Sequence, residues 1–181
     1  MAANLPKNIE EFMDCFEVTE NGSLVFNGRR YVFTTGLLVA LSLFAIPKER
    51  YGNSFRPFLR RALVSYGRKR ALREEEYGVK GALERYLAEN YLTGFGRTEL
   101  VEFSDSRVVV RVYGSLYGEE AGRYIRDRGM KPEPVCVMGY VVEGILNYFA
   151  EKEGKPLFLS REVKCKAMGD EYCEFLLERG A

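Results

Sequence analysis

Glu162-Val163-Lys164-Cys165-Lys166-Ala167-Met168-Gly169-Asp170-Glu171-Tyr172-Cys173-Glu174-Phe175 is the stretch on which the fold turns. Residues 156–165 and 171–178 predict two strands that close the chain as a hairpin around Gly169-Asp170. Two cysteines then sit on facing strands, with a carboxylate just upstream. Thiolates at hairpin positions can converge on one point, as tetrahedral zinc requires, and Cys136 upstream could add another sulfur. The same cysteines read equally well as buried thiols that fill core space. In a regular strand, residues 162 and 165 face opposite sides, so Glu162 and Cys165 can share an ion only through a bulge or bend.

Working backwards, Pro132 and Pro134 break the chain ahead of a long helix marked by Val137, Tyr140–Val141, Gly144–Ile145 and Tyr148–Phe149. Gly118 to Arg128 reads as a short helix closed by Gly129. Two strand-like runs, 97–103 and 107–113, flank Ser104-Asp105-Ser106, with Val108, Val110 and Val112 on one face. Before them lie helices over about 55–72 and 78–92, the second carrying one apolar stripe. The basic run from Arg68 to Arg73 and the acidic Glu74–Glu76 read as a solvated face or turn. Residues 12–33 alternate short apolar runs with Asn21-Gly22 and Asn27-Gly28, a pattern of small strands and tight turns. Thr34–Thr35 would cap a short helix holding Leu37, Leu38, Leu41 and Phe44–Ala45. The fold class is therefore α+β: an antiparallel four-stranded sheet packed with helices, with a short N-terminal β-rich segment. Residues 1–50 are expected to be part of the same globule as residues 51–181.

Composition narrows the chemistry. The 181 residues are 46% hydrophobic and 29% charged, which suits a chain with one packed core. Lysine and arginine total 27 against 26 acids, for a net charge of +1, so no nucleic-acid partner is expected. His, Trp and Gln are absent. Without His there is no Ser-His or Cys-His pair and no imidazole base, and no catalytic residue is assigned. The lack of Gln fits a protein from a hot environment, a thermophile. No secretory signal is visible, and the most apolar stretch, Leu37–Ile46, falls short of the ~20 residues of a membrane span. A cytoplasmic location follows, where reduced thiols or metal ligands are the better reading of Cys15, Cys136, Cys165 and Cys173. Cys15 stands alone and reads as a core thiol.

The pattern Glu162-x-x-Cys165-x-x-x-Gly169-Asp170-x-x-Cys173-x-Phe175 resembles the signature of the 4-vinyl-reductase domain family. Those domains are similar in fold to the TRAPP vesicle-tethering subunits and to the sensor domains of aromatic-responsive transcription activators. Pro134-Val135-Cys136, Gly139-Tyr140 and Glu143-Gly144 resemble the family's Cys-led helix, and Gly94-Phe95-Gly96 and Val112-Tyr113-Gly114-Ser115 its glycine-aromatic corner and strand end. The resemblance covers roughly residues 55 to 178. It implies a helix-covered sheet, usually a homodimer, with an interior pocket for an apolar or aromatic molecule. It also implies a zinc held by Cys136, Glu162, Cys165 and Cys173, although the stretch from Cys136 to Glu162 is a few residues longer than is typical.

The sensor domains hold a phenolic hydroxyl with a His and a Trp; this chain has neither, so phenol recognition does not carry over. The expected ligand is apolar, aromatic or lipid-like, with Tyr86, Phe95, Tyr113, Tyr117, Tyr140 and Tyr148 as candidate contacts. The expectation is a ligand-binding sensor with a structural zinc and a separate protein partner, rather than an enzyme. A TRAPP-like interaction scaffold is the alternative, in which exposed Arg60-Arg61 and Arg68-Lys69-Arg70 meet an acidic partner or membrane surface. Vinyl reduction is disfavoured, because no Gly-x-Gly-x-x-Gly turn and no iron–sulfur cysteine cluster is present.

Overall fold

Val108, Val110 and Val112, each fully buried, mark the inner face of a four-stranded antiparallel sheet. The computed structural model describes residues 11, 14–20, 24–26, 29–31, 39 and 41–180. The expected Asn-Gly turns, the Thr34–Thr35 cap, and Leu37 and Leu38 lie outside those residues. The chain divides into two compact units, Met1–Thr35 and Gly36–Ala181. In the first, β1 (Glu17–Val18), β2 (Leu24–Phe26) and β3 (Arg29–Tyr31) form a three-stranded antiparallel sheet. The rings of Phe16 and Phe26 lie 5.7 Å apart there.

The second unit begins with a π-helical turn, Leu41–Ala45, that runs into α1 (Ile46–Tyr51). Helices α2 (Arg56–Arg73) and α3 (Gly78–Leu92) follow, then strands β4 (Arg97–Phe103) and β5 (Arg107–Tyr113). A second π-helical turn, Tyr117–Ala121, leads into α4 (Gly122–Asp127), and α5 (Met138–Lys152) precedes β6 (Phe158–Lys164) and β7 (Cys173–Arg179). The sheet order is β4-β5-β7-β6, with both hairpins antiparallel. This is the expected α+β architecture.

α5 is the central element. Residues on every side of it are buried, as in a helix enclosed between two layers: the sheet lies below and α2 crosses above. Its two buried polar side chains serve the edge strand. Asn147 binds the Phe158 backbone twice, donating from Nδ2 to the carbonyl at 3.1 Å and accepting from the N–H at 2.7 Å. One turn earlier, Glu143 accepts the Ser160 N–H at 2.9 Å. Backbone groups that an edge strand would leave unpaired are thereby satisfied from above. Gly139 lies on the same stripe, and a Cβ there would fall 2.4 Å from Ser160 Oγ and 2.6 Å from the Phe175 ring. The glycine lets α5 approach the sheet where Cys136 must reach it.

Two details differ from the sequence reading. Gly118–Arg128 is not one α-helix, because its first turn is π-helical and wraps over the β6–β7 connection. A Cβ on Gly118 would meet Lys166 Cβ at 2.7 Å and Cys173 Sγ at 3.0 Å, and one on Gly122 would meet Ala167 Cα at 2.9 Å. The β6–β7 connection is longer than a tight turn: a 3₁₀ turn over Lys166–Met168, ending at Gly169 with φ of 101°.

Candidate metal centre and adjoining cavity

Three segments meet under that π-helical turn. The Pro-broken loop delivers Cys136 to the start of α5, the end of β6 delivers Glu162, and the start of β7 delivers Cys173. One donor atom from each lies within 4.8 Å of the other two. The β6–β7 register slips between Glu162 and Lys164, so Val163 is bulged out, 47% exposed, and Cys165 turns inward to 1% exposure. This is the bulge that bringing Glu162 and Cys165 together requires. Cys165 is not part of the 4.8 Å triangle, though it is buried beside it. All three clustered cysteines are free thiols, as is Cys15, which is exposed; it is therefore not the core thiol expected.

Two polar groups face the sulfurs. Lys166 N–H points at Cys173 Sγ at 3.4 Å, and Ser115 Oγ lies 3.3 Å from Cys136 Sγ. Asp170 fixes the loop by accepting the Cys165 N–H at 2.8 Å. Glu162 Oε2 accepts the Cys136 N–H at 3.2 Å, whereas its Oε1 is buried with no partner. Burial, with Cys165 beside it, pushes the Glu162 carboxyl up to about 10. Hydrogen bonding to Cys173 and burial raise the Cys165 thiol, and hydrogen bonding to Cys136 leads the rise at Cys173. Three acids held in their neutral forms around one point lack a countercharge, and a divalent cation would supply it. The donor set and the orphaned Oε1 therefore fit a soft-to-borderline metal ion. Ser115 and Gly118 are additions to the residues read from sequence. The small-residue spacing Ser115-x-x-Gly118-x-x-x-Gly122 was the available signal.

Cys136 and Glu162 also line one wall of a cavity of about 200 Å³. Phe44, Phe55, Leu59, Val137, Tyr140 and Phe175 supply its apolar surface, with Ser160 and Arg56 at its polar edge. Arg56 is held by Pro134 O at 2.8 Å and Glu133 at 3.1 Å, and its buried Nε has no partner.

Of the six aromatic residues singled out from the sequence, Tyr140 lines this cavity. Phe95 and Tyr117 pack 5.7 Å apart beside buried Tyr86, and burial holds the Tyr86 and Tyr117 phenols above the usual tyrosine range. Tyr113 donates to Glu99 and stacks near Tyr172, while Tyr148 donates to Glu75. Tyr113 and Tyr148 are half-buried.

The stretch from α4 to the end of β7 contains the whole cluster. Residues 125–179 match the 4-vinyl-reductase domain family. The match thus takes in α5, β6, β7 and all four proposed metal ligands. The fold is similar to that of the phenol-responsive sensory domain of the transcription activator PoxR, solved with phenol. That likeness has a TM-score of 0.68 at 16% identity and covers 99% of this chain and 92% of the other. A vinyl-4-reductase family protein from Methanocaldococcus jannaschii gives a TM-score of 0.45 at 17% identity, over 83% and 85% of the two chains. A trafficking protein particle complex subunit 3 from Naegleria fowleri, covalently bound to palmitic acid, gives 0.43 at 11% identity, over 81% and 95%. A search of the curated proteins finds no match.

Proposed function

We propose that this chain is a sensor module that holds a small apolar or aromatic molecule in the cavity beside the cysteine cluster. In this reading a structural zinc on Cys136, Glu162, Cys165 and Cys173 fixes the wall of that cavity. The observation that carries it is the shared wall, since Cys136 and Glu162 belong to both the cluster and the cavity. One donor each from Cys136, Glu162 and Cys173 already lies within 4.8 Å of the other two, and Cys165 would have to move in to complete a set of four. Bound zinc would supply the positive charge that lets the thiols and carboxyl ionise, in a site closed to substrate. A cavity of about 150 Å³ accepts a benzene ring, so the space of about 200 Å³ here suits one ring with a small substituent. Arg56 Nε offers such a ligand one donor, and Tyr140 an aromatic wall. Ligand sensing by the PoxR domain, which shares the fold, supports a binding role over a catalytic one.

Native mass spectrometry of the purified chain, with and without a strong chelator, tests this reading. The expected result is a dimer with one zinc per chain and a retained small organic mass. Thermal shift with a panel of one-ring compounds extends the test, since ligand at a hundred times Kd stabilises by about 2.7 kcal/mol. A Leu59→Phe substitution, which fills the cavity, should remove that shift. A metal-free chain that no compound stabilises would sink the reading.

A further inference from the structure

Within the second unit, helix α2 packs over α5 on the side away from the sheet, and its exposed half has an unusual composition. Its 18 residues carry seven cations and no Asp or Glu. Four of the cations have acidic partners: Arg56 with Glu133, Arg60 with Glu143, Arg68 with Glu151, and Arg70 with Glu74 and Glu89. Arg70 is 3% exposed; the expected exposed runs Arg60-Arg61 and Arg68-Lys69-Arg70 are thus partly internal. Arg61, Lys69 and Arg73 are exposed and make no ion pair among the described residues. At 100° per residue all three fall on one half of the helix, interleaved with Phe58, Tyr66 and Leu72. Those three side chains are 77%, 47% and 59% exposed.

We propose that this face of α2 docks on an anionic lipid surface. Cations and apolar side chains alternate over about 24 Å of helix, with no acid to repel a negative headgroup. Phe58 stands out as a knob, which the headgroup–acyl boundary can take up while the neighbouring stems of Arg61 and Lys69 reach phosphates. A second copy of the chain fits poorly, because a symmetric contact centred on α2 would set cations against cations. The whole-chain charge of +1 gives no general attraction to polyanions, so attraction must come from this face.

The test is co-flotation of the full chain with phosphatidylcholine vesicles, with and without phosphatidylserine, at low and high salt. Binding should require phosphatidylserine and weaken with salt. Each neutralised cation should lower the partition coefficient about fivefold, so R61A/K69A/R73A should lose on the order of a hundredfold. Phe58→Ala should lose about tenfold. All of these positions are exposed, and circular dichroism checks that the variants fold. A folded wild-type chain that stays with the unbound fraction, or a triple variant that floats like wild type, would overturn the proposal. Retention on polyglutamate without vesicle binding would overturn it too, pointing instead to an acidic protein partner.

Discussion

Two carboxylates near β6, buried Glu143 and half-buried Glu162, are sorted into different roles by their partners. Glu143 is fully engaged: Arg60 donates to both oxygens at 2.8 and 2.9 Å, and Ser160 N–H adds a third bond. Glu162 has one oxygen bonded and one orphaned in the cysteine cluster. Removing a satisfied buried charge strands its partners, so Glu143→Ala should cost about 3 kcal/mol in urea unfolding. Arg60→Ala should cost less, because that guanidinium side chain is 39% exposed. Glu162→Gln in metal-free protein should change stability by under about 1 kcal/mol, since an amide mimics the neutral carboxyl that burial favours. If both glutamates cost the same without metal, the distinction between them fails. Asn147→Ala removes both partners of the Phe158 backbone and should cost about 2–4 kcal/mol.

Between elements, the crossing of α2 over α5 is set by a pair of glycines. A Cβ on Gly67 would lie 2.2 Å from Val141 O, and one on Gly144 would lie 2.1 Å from Val64 O. The obstructing atoms are helix backbone and cannot rotate away, so Gly67→Ala must spread the helices. It should cost about 2–3 kcal/mol by thermal or urea denaturation; a neutral outcome would mean the crossing is looser than the glycines require. The repeats of period 2 and 3.6 made most elements legible: α3 and strands β4 and β5 stand where their patterns put them. What escaped was set by tertiary approach. A π-helical first turn cannot be read from Gly118-x-x-x-Gly122 without knowing that Lys166 and Cys173 press against it. Likewise, the burial of Arg70 depends on Glu89 arriving from α3. The cysteine cluster was legible because its hairpin pattern is local, but the cavity was not. Its walls come from Phe44, Phe55, α5 and the sheet, which sequence spacing does not bring together.

Across the unit Gly36–Ala181, the sheet, α5 and α2 form successive layers, and the cluster and cavity lie where the loop before α5 crosses the end of β6. Because Cys136 and Glu162 serve both places, the proposed metal and the proposed apolar ligand should be coupled. Zinc would hold both side chains in one arrangement before the ligand arrives, so the ligand would no longer bear the cost of ordering that wall. Binding of each should therefore strengthen the other by the same factor, typically about 5–150-fold, or about 1–3 kcal/mol. The measurement is a two-way one: ligand affinity by calorimetry in zinc-loaded and chelated protein, then zinc affinity by competition with and without ligand. Cys173→Ser, which weakens the metal without touching the cavity lining, should reduce ligand affinity in the presence of zinc and leave it unchanged in chelated protein. Equal ligand affinities in loaded and chelated protein would show that the shared wall is already rigid, its order supplied by Pro134, Asp170 and the β6 bulge alone.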